Sequence, residues 1–311
     1  MSDPTLSLVF PGQGSQAVGM GRALADAYPA ARAVFDEVDE ALGQKLSAVM
    51  WDGPQDVLTL TVNAQPALMA HAVAAWRALE AEGFGLAQVR SLAGHSLGEY
   101  AAHCVAGTFS LADTARLLRT RGQAMQAAVP VGEGGMAAIL GLDLDAVEAL
   151  ASEAGVEVAN DNAPGQVVIS GLKDAIERAC VLAKDKGAKR ALPLPVSAPF
   201  HCRLMAPAAE AMAEALADVE TNDPARPVFA NVLAAPVPDD EIAASLVRQV
   251  TGRVRWTETV RAMHADGTDL FVEIGTGKVL SGLVKRIEKG AQTANVGAPE
   301  DIANLRDILS H

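Results

Sequence analysis

Residues 89–98 constrain this chain more tightly than any other stretch. An apolar strand pattern at 89–93 runs into Gly94-His95-Ser96-Leu97-Gly98 and then directly into helical spacing toward Ala106, which Gly107 can terminate. Strand, tight turn and helix follow one another with almost no connecting chain. Glycines two residues to either side of Ser96 let the backbone turn without Cβ clashes, while the hydroxyl projects from the carboxyl edge of a sheet. The Leu97 N–H falls at the start of the helix, where it can donate to an oxyanion. An arbitrary match to this pattern is only a turn with a polar cap, but the strand and helix on its flanks point to a serine nucleophile.

The elements around it predict an α/β fold. Residues 6–10 read as a short buried strand, followed by a Pro/Gly-rich turn and helical spacing over about 20–42; a second helical stretch covers 63–82 and a third 113–128. The glycines at 132, 134 and 135 then break the pattern. From there to Pro195 the order is strand 136–140, helix 145–154, strand 156–160, strand 166–170, helix 173–186 and strand 191–196, the split βαβ signature. Helix (205–217) and strands (228–231, 270–273) resume afterwards. The expected organisation is a large α/β-hydrolase-like subdomain with a mainly parallel sheet, residues 1–129 and 197–311, with a small inserted ferredoxin-like βαββαβ subdomain at 130–196. Abundant alanine, leucine and valine with only 4% aromatics suit helices packed on such a sheet.

Composition also removes function classes. A formal charge of −13 without a basic stripe excludes a phosphate-neutralising nucleic-acid surface. The most apolar stretch, 67–76, is interrupted by His71 and too short to span a bilayer, and the first ten residues carry no basic leader, so a cytoplasmic protein with no membrane contact is expected. Cys104, Cys180 and Cys202 lack any paired spacing, which indicates neither a disulfide framework nor a zinc site. Cys202 adjoins His201 and is a reactive thiol only in an electropositive setting.

A serine nucleophile requires a base, and His71, His95, His103, His201, His264 and His311 are available. His71 and His103 lie in apolar helical patterns, His95 is fixed beside the serine, and His311 is terminal. His201 follows Ala198-Pro199-Phe200 in a loop that can overhang a cleft, or can be an ordinary surface histidine. Pro11-Gly12-Gln13-Gly14-Ser15-Gln16-Ala17 mimics a dinucleotide fingerprint, but no acidic residue ends the next strand. A loop whose backbone and Gln13 amide face the same cleft and supply a second oxyanion donor is the better account. Gly275-Thr276-Gly277-Lys278 lacks the spacing and hydroxyl of a phosphate-binding loop and reads as a strand-to-helix turn. Asn160 and Asn162, near Pro164 and Gly165, either line the cleft or, as the default reading, stabilise a hairpin turn.

PGQGSQ, GHSLGEY and APFH, in this order around the inserted unit, resemble the malonyl-CoA:acyl carrier protein transacylase family of fatty-acid synthesis. RTRGQAM from Arg119, GQVVISG from Gly165, VRQVTGRVRW from Val247 and FVEIGTGKVLSGLVKR from Phe271 extend the likeness over nearly the whole chain. The resemblance implies malonyl transfer from malonyl-CoA to the phosphopantetheine thiol of acyl carrier protein by a ping-pong cycle. It makes Ser96 the nucleophile, His201 the base, and Gln13 with the Leu97 amide the oxyanion hole. Arg121 becomes the partner of the malonyl carboxylate, a task for which a guanidinium fork is suited and lysine is not. An arginine beside Arg116 and Arg119 otherwise reads as part of a solvated face. No carboxylate is marked to orient the histidine, and the resemblance assigns that role to a main-chain carbonyl near Gln249, so Gln249→Ala is expected to keep substantial activity. Leu97 and Phe200 match the malonyl-selective pattern of related domains, with Phe200 crowding an α-methyl group. No metal or redox cofactor is called for, coenzyme A entering as substrate.

Two alternatives use the same residues differently: a serine esterase or thioesterase that needs no acceptor thiol, and an inactive subunit that only binds carrier protein. The carrier in this family is acidic, so a chain at −13 needs a local basic patch; Lys184, Lys186, Lys189 and Arg190, or Lys285, Arg286 and Lys289, are the candidates, each also readable as a solvated helix face.

Overall fold

Strand β1 (Leu6–Phe10) is buried along its whole length, which suits a strand covered on both faces. In the computed structural model, which describes residues 5–196 and 198–309, it lies at the centre of a six-stranded sheet. Its neighbours are β2 (Val89–Gly94) and β9 (Leu270–Ile274), both parallel to it. Beyond β9 lies β10 (Gln292–Val296), and beyond β2 lie β7 (Val228–Ala230) and the short antiparallel edge strand β8 (Ala235–Pro236). The loops after β1, β2 and β9 therefore gather at one carboxyl edge, where open α/β sheets hold their ligands.

The remaining strands, β3 (Gly134–Leu140), β4 (Glu157–Ala163), β5 (Gln166–Leu172) and β6 (Arg190–Pro193), form a separate antiparallel sheet in the order β4-β5-β3-β6. Helices Leu144–Ala154 and Lys173–Asp185 pack on it around Ile139, Val147, Leu150, Ile169 and Ile176, a core of its own. The tie to the larger sheet runs through β4. Asp161 N–H donates to Val254 O at 3.0 Å and Val254 N–H to Ala159 O at 2.8 Å.

Three expectations change at this level. The helical span 20–42 is two helices, Arg22–Ala27 and Pro29–Leu42, because the residue before a proline is pushed out of the helical region and Tyr28 is extended. Strand β4 continues to Ala163, so Asn160 and Asn162 stand within the strand, and the turn belongs to Pro164 and Gly165. The last strand of the small sheet stops at Pro193. Met1 to Pro4, Ser197, Ser310 and His311 lie outside the described residues.

The helix Thr61–Ala81 is buried on nearly every side, as its all-round apolar, alanine-rich sequence requires. The helix Leu111–Ala127 presses against it at Gly122, where a Cβ would come within 2.7 Å of Val62 Cα. No helix among the described residues is long and apolar enough to cross a membrane.

Candidate active site

The glycines flanking Ser96 are required by contact as well as by torsion. A Cβ on Gly94 would lie 1.9 Å from the Gly98 carbonyl, and one on Gly98 would lie 2.2 Å from Phe10 O. Strand, turn and helix start thus touch backbone to backbone. Ser96 sits between them at φ 54°, a left-handed conformation that is costly for a residue with a Cβ. Two side chains hold it there. Asn231 Oδ1 accepts from Ser96 N–H at 2.7 Å while its Nδ2 donates to Gly94 O at 2.6 Å, and Gln249 Nε2 donates to Ser96 O at 3.0 Å.

His201 also has a left-handed backbone, φ 57°, and is 4% exposed. Its Nε2 is 2.7 Å from Ser96 Oγ and its Nδ1 is 2.9 Å from Gln249 O. A carbonyl oxygen only accepts, so Nδ1 carries the proton, leaving Nε2 bare to receive the Ser96 hydroxyl hydrogen. Burial, then the Arg121 charge, lower the His201 pKa to about 3, so the free imidazole is neutral across the neutral range.

Arg121 turns inward and is 1% exposed, against the solvated-face alternative that fits Arg116, which pairs with Asp113 on the surface. Its Nη1 donates to Gln65 Oε1 at 2.7 Å; its Nη2 donates to Gln249 Oε1 at 2.8 Å and to Ser96 Oγ at 3.2 Å. The guanidinium lies 5.7 Å from the centre of the Tyr100 ring. A hydroxyl, a neutral imidazole and a buried cation therefore meet at one oxygen atom. This set can take an acyl group on Ser96 and hold an anion beside it.

The other expected residues are less uniform. Leu97 caps the helix Gly98–Ala106 and puts its N–H at the positive end of that helix. Gln13 is exposed after β1, with its amide oxygen accepting from Thr61 Oγ1 at 3.0 Å, which leaves the amide hydrogens and the backbone N–H for other work. Phe200 is buried in the main core. Cys202 is fully buried, donates to Pro199 O at 3.1 Å, and has its pKa raised by burial, so it is an inert thiol. Asn162 Oδ1 lies 2.8 Å from His95 Nε2 and steadies the residue before Ser96, while Asn160 is a strand residue paired with Val168. An open cleft of about 390 Å³ lies beside His201, lined by Glu148, Ser152, Glu157, Thr251 and Arg253.

Four contributors escape the sequence: Gln65, Glu99, Asn231 and the side chain of Gln249. All four are buried polar residues within apolar segments, and that mismatch was their signal. Gln249 offers its main-chain oxygen to His201, as expected, and its side chain adds contacts that the sequence did not show. Its carboxamide grips Arg121, Ser96 O and Glu99, so Gln249→Ala removes three contacts besides leaving the carbonyl in place.

The family model described as acyl transferase domain matches residues 7–305. A malonyl CoA-acyl carrier protein transacylase of Escherichia coli strain K12 is 46% identical over 307 residues, spanning 97% of this chain and 99% of the relative. A crystal structure of an acyl-carrier-protein-S-malonyltransferase from Bartonella henselae superposes with a TM-score of 0.96 at 52% identity, covering 98% of this chain and 99% of that one. A malonyl-transacylase solved in complex with its type II PKS acyl-carrier protein gives a TM-score of 0.93 at 43% identity, over 96% and 98% of the two chains.

Buried titratable groups make stability depend on pH in opposing ways. His71, His95, His103 and His201 are all lowered from 6.5, chiefly by burial, His103 to about 3. Between their folded and unfolded values only the unfolded chain binds these protons, so acidification below about pH 6.5 destabilises the native state. Glu99 is raised to about 7, and Asp161 and Glu273 are raised as well, all chiefly by burial, so the native state binds these protons more tightly than the unfolded chain and acidification favours folding through these three carboxyls. The four imidazoles outnumber them. Melting temperature is expected to fall from about pH 6.5 to 4.5, and to fall less steeply in His103→Gln; an unchanged slope in that variant would contradict the assignment.

Proposed function

The chain belongs to the acyl transferase domain family, among the malonyl CoA-acyl carrier protein transacylases, and we propose that this S-malonyltransferase works through a malonyl-serine intermediate at Ser96. The observation carrying this reading is the single oxygen, Ser96 Oγ, 2.7 Å from His201 Nε2 and 3.2 Å from Arg121 Nη2. Ser96 Oγ attacks the malonyl thioester carbonyl as its proton passes to His201 Nε2. The C–S bond breaks, and the coenzyme A sulfur leaves with that proton. The carrier's phosphopantetheine thiol then gives its proton to His201 and takes the acyl group, restoring Ser96. Arg121 receives the malonyl carboxylate, and its burial supports a strong charge-assisted contact. The Leu97 amide and Gln13 are the oxyanion donors in this scheme, each worth about 10²–10³-fold in rate.

A neutral carbonyl, Gln249 O, stabilises the imidazolium less than a carboxylate would. That suits a reversible exchange between thioesters of similar energy, and the cycle as written uses no metal or redox cofactor. We take 1–129 with 197–311 as an α/β-hydrolase-like catalytic unit and 130–196 as a ferredoxin-like insert, acting in the cytoplasm. Parallel pairing in the large sheet and the β4-β5-β3-β6 order in the small one support those likenesses.

For the acidic carrier protein, two basic patches separate in sequence reduce to one concavity. Lys189, Arg190 and Arg286 line an open hollow of about 460 Å³ with Gly141, Pro164 and Gly165, whereas Lys186 is paired with Glu153. We assign the carrier to this hollow on charge complementarity.

Mass spectrometry after brief exposure to malonyl-CoA is expected to find a malonyl adduct on Ser96, none in Ser96→Ala, and methylmalonyl loading slower by about 10–200-fold through crowding at Phe200. An adduct elsewhere, or thioester hydrolysis indifferent to the acceptor thiol, would overturn the reading. Charge reversal of Lys189, Arg190 and Arg286 together is expected to raise the carrier-protein KM by about tenfold while leaving malonyl loading unchanged. An unchanged carrier KM removes the docking assignment.

A further inference from the structure

Glu99 is the second residue of the helix that follows the nucleophile, is fully buried, and has no place in the cycle above. Its Oε2 accepts from Asn231 N–H at 2.9 Å and from Gln249 Nε2 at 2.8 Å. We propose that Glu99 is a positioning residue for acyl selectivity: its carboxyl fixes which way the Gln249 carboxamide faces, and through that amide it sets the Arg121 guanidinium. The proposal rests on the reading that Arg121 receives the malonyl carboxylate.

A carboxamide has nearly the same shape after a half-turn about its terminal bond, so packing scarcely chooses between the two orientations; hydrogen-bond partners do. On one side of Gln249 stand two acceptors, Glu99 Oε2 and Ser96 O, which require the NH2 group. On the other stands Arg121 Nη2, a donor, which requires the oxygen. Without Glu99 one of the two acceptors is gone. The flipped amide, with NH2 against the guanidinium, becomes accessible, and Arg121 loses the oxygen that holds one tip of its fork. Gln65 Oε1 holds the other tip.

The interposed amide has a second consequence. Among the described residues Arg121 forms no ion pair within 4 Å, although Glu99 is close enough to favour its charge. A carboxylate in direct contact would occupy the fork that a substrate carboxylate must take. Placing Gln249 between the two gives the guanidinium a nearby negative partner while its partners in the fork remain neutral and displaceable. Protonation of the other oxygen leaves Oε2 an acceptor, so the arrangement survives titration of Glu99.

The test compares single-turnover loading of Ser96 from malonyl-CoA and from acetyl-CoA, which lacks the carboxylate. Glu99→Ala is expected to raise the malonyl KM by about tenfold or more, the size of one lost hydrogen bond to a charged group, with kcat and acetyl loading within about threefold of the parent. Glu99→Gln keeps an acceptor oxygen for Gln249 and Asn231 and should retain the malonyl preference. If Glu99→Ala does not fold, Glu99→Met, which fills the same space without an acceptor oxygen, carries the same expectation. A parallel fall in malonyl and acetyl loading, or no change in their ratio, overturns the proposal. Arg121→Ala, measured beside them, separates the two failures. If it abolishes the malonyl preference while Glu99→Ala does not, only the role of Glu99 is lost; if it leaves the preference intact, the reading of Arg121 fails first.

Discussion

Two residues held at positive φ, with Ser96 Oγ and His201 Nε2 2.7 Å apart, are the constraint on which this structure turns. Each such backbone conformation costs on the order of 1–3 kcal/mol, so neither persists unless its surroundings fix it. At Ser96 the fixing is visible in both directions along the chain: Asn231 takes the N–H and Gln249 takes the carbonyl. The glycines at 94 and 98 allow the helix start to lie directly on the ends of β1 and β2. The large sheet brings these parts to one edge because its inner strands run parallel.

Gln249 joins the elements that the chemistry needs. Its main-chain oxygen sets the His201 tautomer, and its carboxamide touches Arg121, Ser96 O and Glu99. One residue thereby couples the His201 imidazole, the Ser96 backbone and the buried cation. A loss at this position is therefore not divisible into separate contributions.

Much of the fold was legible because local backbone chemistry dictates it. The turn at Ser96 was readable from glycine spacing and flanking periodicity, and the helix after it ends at Gly107 in the left-handed conformation expected of a terminating glycine. The small sheet appeared as alternating strand and helix patterns with boundaries off by a few residues. The two largest differences are three residues each, at the ends of β4 and β6, and the one at β4 gave Asn162 to a turn by default. The partners of Ser96 were not legible from local pattern. His201 was one histidine among six and Arg121 one arginine among three on a helix, and only family likeness selected them. Gln65, Glu99 and Asn231 look like isolated polar residues in apolar runs until the sheet brings them together from three regions of the chain. Long-range hydrogen bonding of this kind leaves no periodic trace in a sequence.

The central claim is a directed hydrogen-bond chain from Ser96 through a neutral His201 to a main-chain carbonyl. Nitrogen-15 NMR of histidine-labelled enzyme reads the protonation of each ring nitrogen directly. The account predicts that between about pH 5 and 8 His201 stays neutral with its proton on Nδ1 and Nε2 bare. A proton resident on Nε2, or an imidazolium near neutrality in the free enzyme, would contradict it.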